Sequence, residues 1–273
     1  MATSRSNPMH AVKRKPATVR RAPAKRSTSK KKKKSNKALF IVLGALLLIG
    51  IGIVVYTQEE EEEKEVEASV QEILIQLPKG YKSSGLDVSH HQGEVDWEKL
   101  VNKSPFDTLI DFVYCKATEG STYIDSEWEN NRTHLNQLGI RNGAYHFLNP
   151  NAASLPQAKH FLAIWKHREI DLPPVLDVEK EATSDKILIN NMYDWLEYVE
   201  RKSGFRPIIY TSYSFYVNKF KNEFKGYQFW IASYDKDPKA LSDKRIVHWQ
   251  FTDNIELPGI SEKVDFNVSK RRF

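Results

Sequence analysis

The chain has 273 residues, 28% of them charged and 40% hydrophobic, with a formal net charge of +6, which excludes a disordered polymer and a multi-span membrane protein and leaves a globular core to be expected. The charge is divided: residues 1–58 hold 14 of the 41 Lys and Arg and no Asp or Glu, so the remainder sets 27 basic against 35 acidic side chains. The basic character thus describes the head and not the body's partners, and the single cysteine, Cys115, excludes an intramolecular disulfide and Cys-based zinc fingers.

Residues 1–37 are rich in Lys, Arg, Ser, Pro and Ala, with Met1, Met9, Val12 and Val19 as the only sizeable apolar side chains. Such a segment cannot bury enough surface to fold alone and is expected to be a disordered basic tail on the cytoplasmic side. Its lysines read as a topology signal with affinity for anionic lipid headgroups; DNA tethering is the sharper alternative, but the aromatics of a single-strand reader are missing.

Residues 38–56, ALFIVLGALLLIGIGIVVY, carry no charge and as a helix rising ~1.5 Å per residue would span roughly 28 Å, one hydrocarbon core. A cleaved signal peptide is the rival, but its apolar region is typically ~7–15 residues and a small-residue cleavage site should follow, whereas Tyr56-Thr57-Gln58 runs into Glu59–Glu63. Lys30–Lys34 and Lys37 precede the span, so the positive-inside rule puts the N-terminus in the cytoplasm and the rest outside it. Residues 57–79 are expected to be an acidic linker, extended by self-repulsion over residues 59–67. In its second half Val66, Val70, Ile73, Leu74 and Leu77 repeat at the spacing of a short amphipathic helix.

From residue 80 to residue 273, short β-rich runs alternate with amphipathic stretches. Strands are predicted at Gly85–Ser89, Phe112–Ala117, Gly143–Leu148, Pro174–Glu179, Pro207–Ser212, Phe229–Ser233, Val247–Thr252 and Val264–Val268. Helices are predicted at Trp97–Asn102, Ser126–Leu138, Ser154–His167, Ser184–Ser203 and Ser214–Phe220. The alternation argues for an α/β fold with a parallel sheet and helices outside it, and eight strands argue for closure into a modified β/α barrel. A full eightfold barrel takes ~250 residues. The shortage falls late in the chain, where the last gap is shorter than a parallel crossover needs, so the final strands should be joined by loops, some antiparallel, with about five helices in all.

Strand side chains alternate faces, so Asp177 and Glu179 share one face of their strand while Leu176 and Val178 share the other. Both acids sit at the C-terminal strand end, where barrels of this type place their chemistry. Asp87 in the first strand and Asp265 in the last repeat the pattern, the latter with Asn267 on its face, so three strands aim four carboxylates at one mouth. Crowded carboxyls in a partly dry cleft divide into a protonated acid and an ionised partner, the division that glycosidic cleavage requires. Capping and ion pairing are the structural alternatives for each acid alone, but capping does not explain the shared parity of Asp177 and Glu179. Aromatics near strand ends, among them Tyr145, Tyr210, Trp230, Tyr234 and Trp249, offer faces for sugar rings and equally suit a core. His90, His91 and His146 suit hydrogen bonding to a carboxylate or sugar hydroxyl better than a metal site; Cys115 reads as a packed core residue. No phosphate-binding glycine loop occurs, and no metal or cofactor is expected.

Gly85-Leu-Asp-Val-Ser-His-His-Gln-Gly93, Val95-Asp-Trp97, Phe112-Val-Tyr-Cys-Lys-Ala-Thr-Glu-Gly120, Tyr145-His-Phe147, Asp177-Val-Glu179, Ile209-Tyr-Thr211, Trp249-Gln250 and Val264-Asp-Phe-Asn267 follow one another in an order that resembles glycoside hydrolase family 25, the Chalaropsis-type lysozymes. The resemblance runs over nearly all of Gly85–Val268. It implies a muramidase that cleaves the β-1,4 bond between N-acetylmuramic acid and N-acetylglucosamine in peptidoglycan, on a flattened β/α barrel. By the same resemblance Glu179 would be the catalytic acid/base. Asp177 would stabilise the cationic transition state or orient the substrate's N-acetyl group, and Asp87 and Asp265 would complete the acidic cleft. Tyr145, Tyr210, Trp249, His146 and Gln250, which lie near strand ends, are the expected substrate-binding residues. The departure from the family is the basic head and membrane anchor, which bear on wall attachment and not on chemistry.

The expectation is a single-pass lysozyme on the bacterial cytoplasmic membrane, with its catalytic domain outside and peptidoglycan glycan strands and membrane lipid as its partners. Neither nucleic acid nor a particular oligomer is implied. The competing readings are a membrane-anchored module that binds peptidoglycan without cutting it, and an anchor whose basic head organises cytoplasmic partners.

Overall fold

The computed structural model describes residues 36–102, 109–168, 171–234 and 242–273; the expectation of a disordered tail over residues 1–37 lies outside these as far as residue 35, and Lys37 already belongs to the first helix. The chain divides into two compact units, Met1–Val54 and Val55–Phe273, at a point within the first helix, α1 (Lys37–Gln76). A stretch of α1, Leu39–Glu61, is long and apolar enough to cross a membrane, and its large apolar side chains from Leu39 to Tyr56 are exposed.

The glutamate run corrects one expectation. Glu59–Glu63 lie inside α1 rather than in an extended linker. Glutamate is a good helix former, and adding a residue to an existing helix needs no new nucleus, so the helix started in the apolar stretch continues through the charges.

In the second unit eight strands close into a mixed barrel: β1 (Ser83–Val88), β2 (Phe112–Glu119), β4 (Arg141–Phe147), β5 (Val175–Val178), β6 (Ile208–Ser212), β7 (Gln228–Ala232), β8 (Ile246–Ile255) and β9 (Val264–Ser269). The order is β1-β9-β8-β7-β6-β5-β4-β2, and a parallel β1–β2 pairing closes it. All neighbours are parallel except β9, which is antiparallel to both β8 and β1. The short final connection produces this reversal, since a parallel return would need a longer crossover. A two-residue strand, β3 (Tyr123–Ile124), which the sequence reading does not anticipate, pairs with the end of β2.

Helices α2 (Trp97–Asn102), α3 (Trp128–Gln137), α4 (Ser154–Trp165) and α5 (Asp185–Ser203) lie between the strands, as does a short helical segment, Tyr213–Phe215, that continues as a π turn to Phe220. The best defined is α5. Ser184 accepts a hydrogen bond from the Ile187 amide at its start, Gly204 ends it in the left-handed conformation, and Leu188, Met192, Trp195, Leu196 and Val199 form its buried stripe.

Side-chain alternation separates two apolar layers. Leu86, Val88, Val113, Cys115, Leu176, Val178, Ile209 and Ile231 point outward and join Phe161, Trp165, Trp195 and Leu196 of the helices in one core. Phe112, Tyr114, Val175, Ile208, Tyr210 and Trp230 point inward and fill the barrel. Glycine is required beside two of these rings: a Cβ on Gly85 would collide with the Phe112 carbonyl and ring, and one on Gly143 with the Tyr114 ring. The interior is therefore packed below, and the inward-facing acids rise above a floor of aromatic side chains.

Candidate active site

A cleft of ≈ 240 Å³ opens above that floor, and Asp87, Asp177, Glu179 and Asp265 all line it, together with Lys116, His91, Tyr145, Phe147, Tyr210 and Trp230. The four carboxylates that parity aims at one mouth are together there.

They form two pairs. Asp87 and Asp265 stand opposite each other in the antiparallel β1–β9 register. Asp87 Oδ2 accepts hydrogen bonds from Gln250 Nε2 at 2.9 Å and Asn267 Nδ2 at 2.7 Å. Those amides are themselves fixed: Gln250 Oε1 accepts from the Tyr210 and Tyr234 hydroxyls at 2.8 and 2.9 Å, and Asn267 Oδ1 accepts from Trp230 Nε1 at 2.9 Å. Burial pushes the Asp87 carboxyl up to about 6, and the hydrogen bonds from Asn267, Gln250 and Asp265, all donated toward it, hold it below its partner. Burial and the neighbouring Asp87 charge push the Asp265 carboxyl far above the usual range, so the proton of this pair resides on Asp265.

Asp177 and Glu179 form the second pair. Asp177 is 5% exposed, and its Oδ1 has no hydrogen-bond partner among the described residues. Burial first, then the charges of Glu179 and Asp87, push its carboxyl well above the usual range. Glu179, exposed at the rim, is raised as well, chiefly by desolvation, and a hydrogen bond from the Asp177 carboxyl, then the ammonium groups of Lys180 and Lys116, oppose that rise. Two raised carboxyls side by side retain one proton between them at a pH where ordinary carboxylates have lost theirs.

Glu179 also borders a second depression of ≈ 440 Å³, lined by Tyr210, Tyr213, Ser214 and Tyr234. A third, of ≈ 690 Å³, meets the cleft at His91 and Lys116 and is lined by Tyr123, Asn149, Asn151 and Lys180.

The expected substrate-binding residues separate. Tyr145 and Tyr210 line the cleft. Gln250 is buried with its amide bonded to Asp87, Tyr210 and Tyr234, so it positions an acid instead of meeting a ligand. His146 and Trp249 are corrections, because both point away from the barrel interior. The His146 ring stacks on Trp195, with Nδ1 2.7 Å from Thr118 Oγ1, and burial pushes its pKa down to about 3. Trp249 Nε1 donates to the Ser233 carbonyl at 2.8 Å, and its ring lies by Tyr81 and Phe251. Each is one residue out of step with an inward neighbour, and the alternation used for the acids gives the same answer for them. His90 meets a carboxylate, Nδ1 lying 2.6 Å from Asp125 Oδ2.

Lys116 is the residue that the sequence reading passes over. It is 6% exposed, with Nζ 2.8 Å from Glu119 Oε2 and over the rings of Phe147 and Tyr123. A bulge after it, where Lys116 pairs with Tyr145 but Thr118 with His146, turns Glu119 back to the side of Lys116. Its alternation with Phe112 and Tyr114 was the available signal.

The profile of the family described as Glycosyl hydrolases family 25 matches residues 86–260. The uncharacterized protein YegX of Escherichia coli (strain K12) is 32% identical over 200 residues, covering 73% of this chain and 74% of that protein. Lysozyme M1 of Streptomyces globisporus is 30% identical over 200 residues, covering 67% of this chain and 66% of the lysozyme. Among solved structures, a family 25 glycosyl hydrolase from Bacillus anthracis superposes with a TM-score of 0.65 at 29% identity, covering 72% of this chain and 92% of that one.

Proposed function

The chain belongs to glycosyl hydrolase family 25, and from that premise we propose that it is a muramidase hydrolysing the β-1,4 bond between N-acetylmuramic acid and N-acetylglucosamine. The observation that carries this reading is the Asp177/Glu179 pair, two raised carboxyls at a cleft mouth of which only the outer one reaches the rim.

Glu179 lies between the cleft and the depression lined by tyrosines, so a glycosidic oxygen above it has one sugar on each side. In the free enzyme burial draws the shared proton toward Asp177. A substrate N–H donated to the unpartnered Asp177 Oδ1 favours the ionised form of that residue and moves the proton to Glu179. Glu179 then protonates the leaving oxygen as the carbon–oxygen bond breaks, and Asp177 and Asp87 face the positive charge that develops on the ring. The oxygen of a water molecule then bonds to the anomeric carbon while its proton passes to the Glu179 carboxylate, which restores the acid.

On this reading residues 80–273 form the catalytic barrel, 38–56 a transmembrane stretch of α1, 57–79 an acidic connection that is helical as far as Gln76, and the residues before α1 a basic cytoplasmic tail. The apolar length of α1 and the lysines before it support an anchor in the bacterial cytoplasmic membrane, with the barrel facing peptidoglycan on the outer side. The test is Glu179→Gln in the full-length chain in detergent. The expected result is a loss of about 10²–10⁴-fold in release of reducing ends from purified peptidoglycan; unchanged release overturns the assignment.

A further inference from the structure

Among the described residues that line the cleft, Lys116 is the one lysine or arginine, and it shares that space with four carboxyl groups. The inward residues that precede it on β2, Phe112 and Tyr114, are buried aromatics of the barrel interior. An ammonium buried beyond them adds little to stability, since a well-packed apolar side chain of similar volume usually does as well or better. Lys116 is nevertheless held on three sides. Glu119 Oε2 lies 2.8 Å from its Nζ, and the ring centroids of Phe147 and Tyr123 lie 5.0 and 5.7 Å from it. The two charges of the ion pair are not equivalent: the Lys116 side chain is 7% exposed and that of Glu119 36%, so water screens the carboxylate more than the ammonium. Toward the cleft the pair presents a positive group.

That group faces the Asp177/Glu179 pair. Burial raises both carboxyls, and the Lys116 charge opposes the rise in each. Lys180 also stands over the Phe147 ring, 4.5 Å from its centroid, but its side chain is 60% exposed and lies 3.8 Å from Glu119 Oε1. The other ionisable groups around the pair supply no buried cation. Asp87 on β1 and Asp265 on β9 are acids, His91 is exposed at the rim, and Glu181 is paired with Lys219 at 3.1 Å. Burial pushes up the hydroxyls of Tyr145 on β4, Tyr210 on β6 and Tyr234 after β7, which are therefore neutral. We propose that Lys116 is a positioning residue for the reaction: its ammonium, held against the Phe147 face by Glu119, sets the charge of the Asp177/Glu179 pair so that one carboxyl is ionised while the other keeps the proton that Glu179 delivers. The inference rests on the muramidase reading and deepens it. Without a cation in this wall, two acids beside Asp87 would keep both protons to higher pH, and no carboxylate of the pair would face the positive ring.

The test is the pH profile of kcat/KM for release of reducing ends from purified peptidoglycan by the full-length chain in detergent, because that profile reports the ionisations of the free enzyme. Loss of a cation lets carboxyls hold their protons to higher pH. Lys116→Met leaves Glu119 free to be rehydrated, and both limbs of its profile should move up by about one pH unit. Glu119→Gln removes the opposing carboxylate, so its limbs should move down, by less. Lys116→Arg keeps the charge and should keep the parent's limbs, whatever it does to the maximum rate. Unmoved limbs in Lys116→Met, a like shift in Lys116→Arg, or limbs that move the same way in Lys116→Met and Glu119→Gln would overturn the inference while leaving the parent's cleavage, and the muramidase reading, intact. Should Lys116→Met not fold, Glu119→Gln decides alone: a downward shift supports the inference and its absence overturns it. No cleavage by the parent at any pH would overturn the muramidase reading, and this inference with it.

Discussion

The two carboxyl pairs at the mouth of the barrel contain the same functional groups and are held in opposite ways. Asp87 accepts hydrogen bonds from two amides that are themselves fixed by two tyrosines and a tryptophan, so its place is settled before any ligand arrives. Asp177 is as deeply buried, yet one of its oxygens has no partner among the described residues. A buried acceptor left open costs stability in the free protein, and that cost is recovered only if something else supplies the donor. The first pair is held rigidly by its donors, whereas the second is built to exchange a proton and receive a ligand.

Asp177→Asn tests this contrast with the largest expected effect. Removal of the ionisable partner of Glu179 should lower kcat on peptidoglycan by about 10²–10³. The melting temperature should hold or rise, because a buried carboxyl with an open oxygen is replaced by a neutral amide. A fall in melting temperature would show that Asp177 is structural like Asp87.

Asp87→Ala should do the reverse to the fold. It leaves Gln250 Nε2 and Asn267 Nδ2 without their acceptor, and a buried donor so stranded costs about 1–3 kcal/mol. Thermal denaturation of the full chain should register that loss, and an unchanged midpoint would mean that the amide network does not depend on Asp87.

Asp265→Asn should act with the opposite sign. The folded-state pKa of Asp265 lies above its unfolded value, so between the two the folded chain binds the extra proton and stability falls as pH rises. Asparagine keeps a donor for Asp87 and removes that proton linkage. The variant should therefore melt higher than the parent at neutral pH, by roughly 2–4 °C for a gain of about 1 kcal/mol, and the difference should shrink toward pH 4. A difference independent of pH would place the proton elsewhere.

Most of the architecture was legible because it is written in periodicity. The eight barrel strands and their helices follow from alternation and amphipathic spacing, and the reversed β9 follows from the length of the last connection. The same alternation placed Asp87, Asp177, Glu179 and Asp265 on one face. Where aromatics were chosen by proximity to a strand end instead, His146 and Trp249 were assigned to the wrong side. Lys116 was harder to see, since its role depends on the bulge that brings Glu119 back beside it, and a bulge leaves no trace in hydrophobic pattern. The helical glutamates reflect another gap in such reading: local repulsion suggested an extended linker, and helix propagation from the apolar segment outweighed it.

The smallest effect in the series concerns the outer support of Asp87. Gln250 Oε1 accepts from two hydroxyls, the buried Tyr210 and the 53% exposed Tyr234. In Tyr234→Phe one donor remains, and solvent can reach the place of the other. A net hydrogen bond is worth about 0.5–1.5 kcal/mol, and at this exposed position the lower end applies, so the midpoint should fall by no more than about 2 °C. Tyr210→Phe removes the donor that water cannot replace and should cost more. If the two variants destabilise equally, the fixed pair draws its rigidity from the rim as much as from the barrel interior, and the contrast with the open Asp177/Glu179 pair narrows to the single unpartnered oxygen.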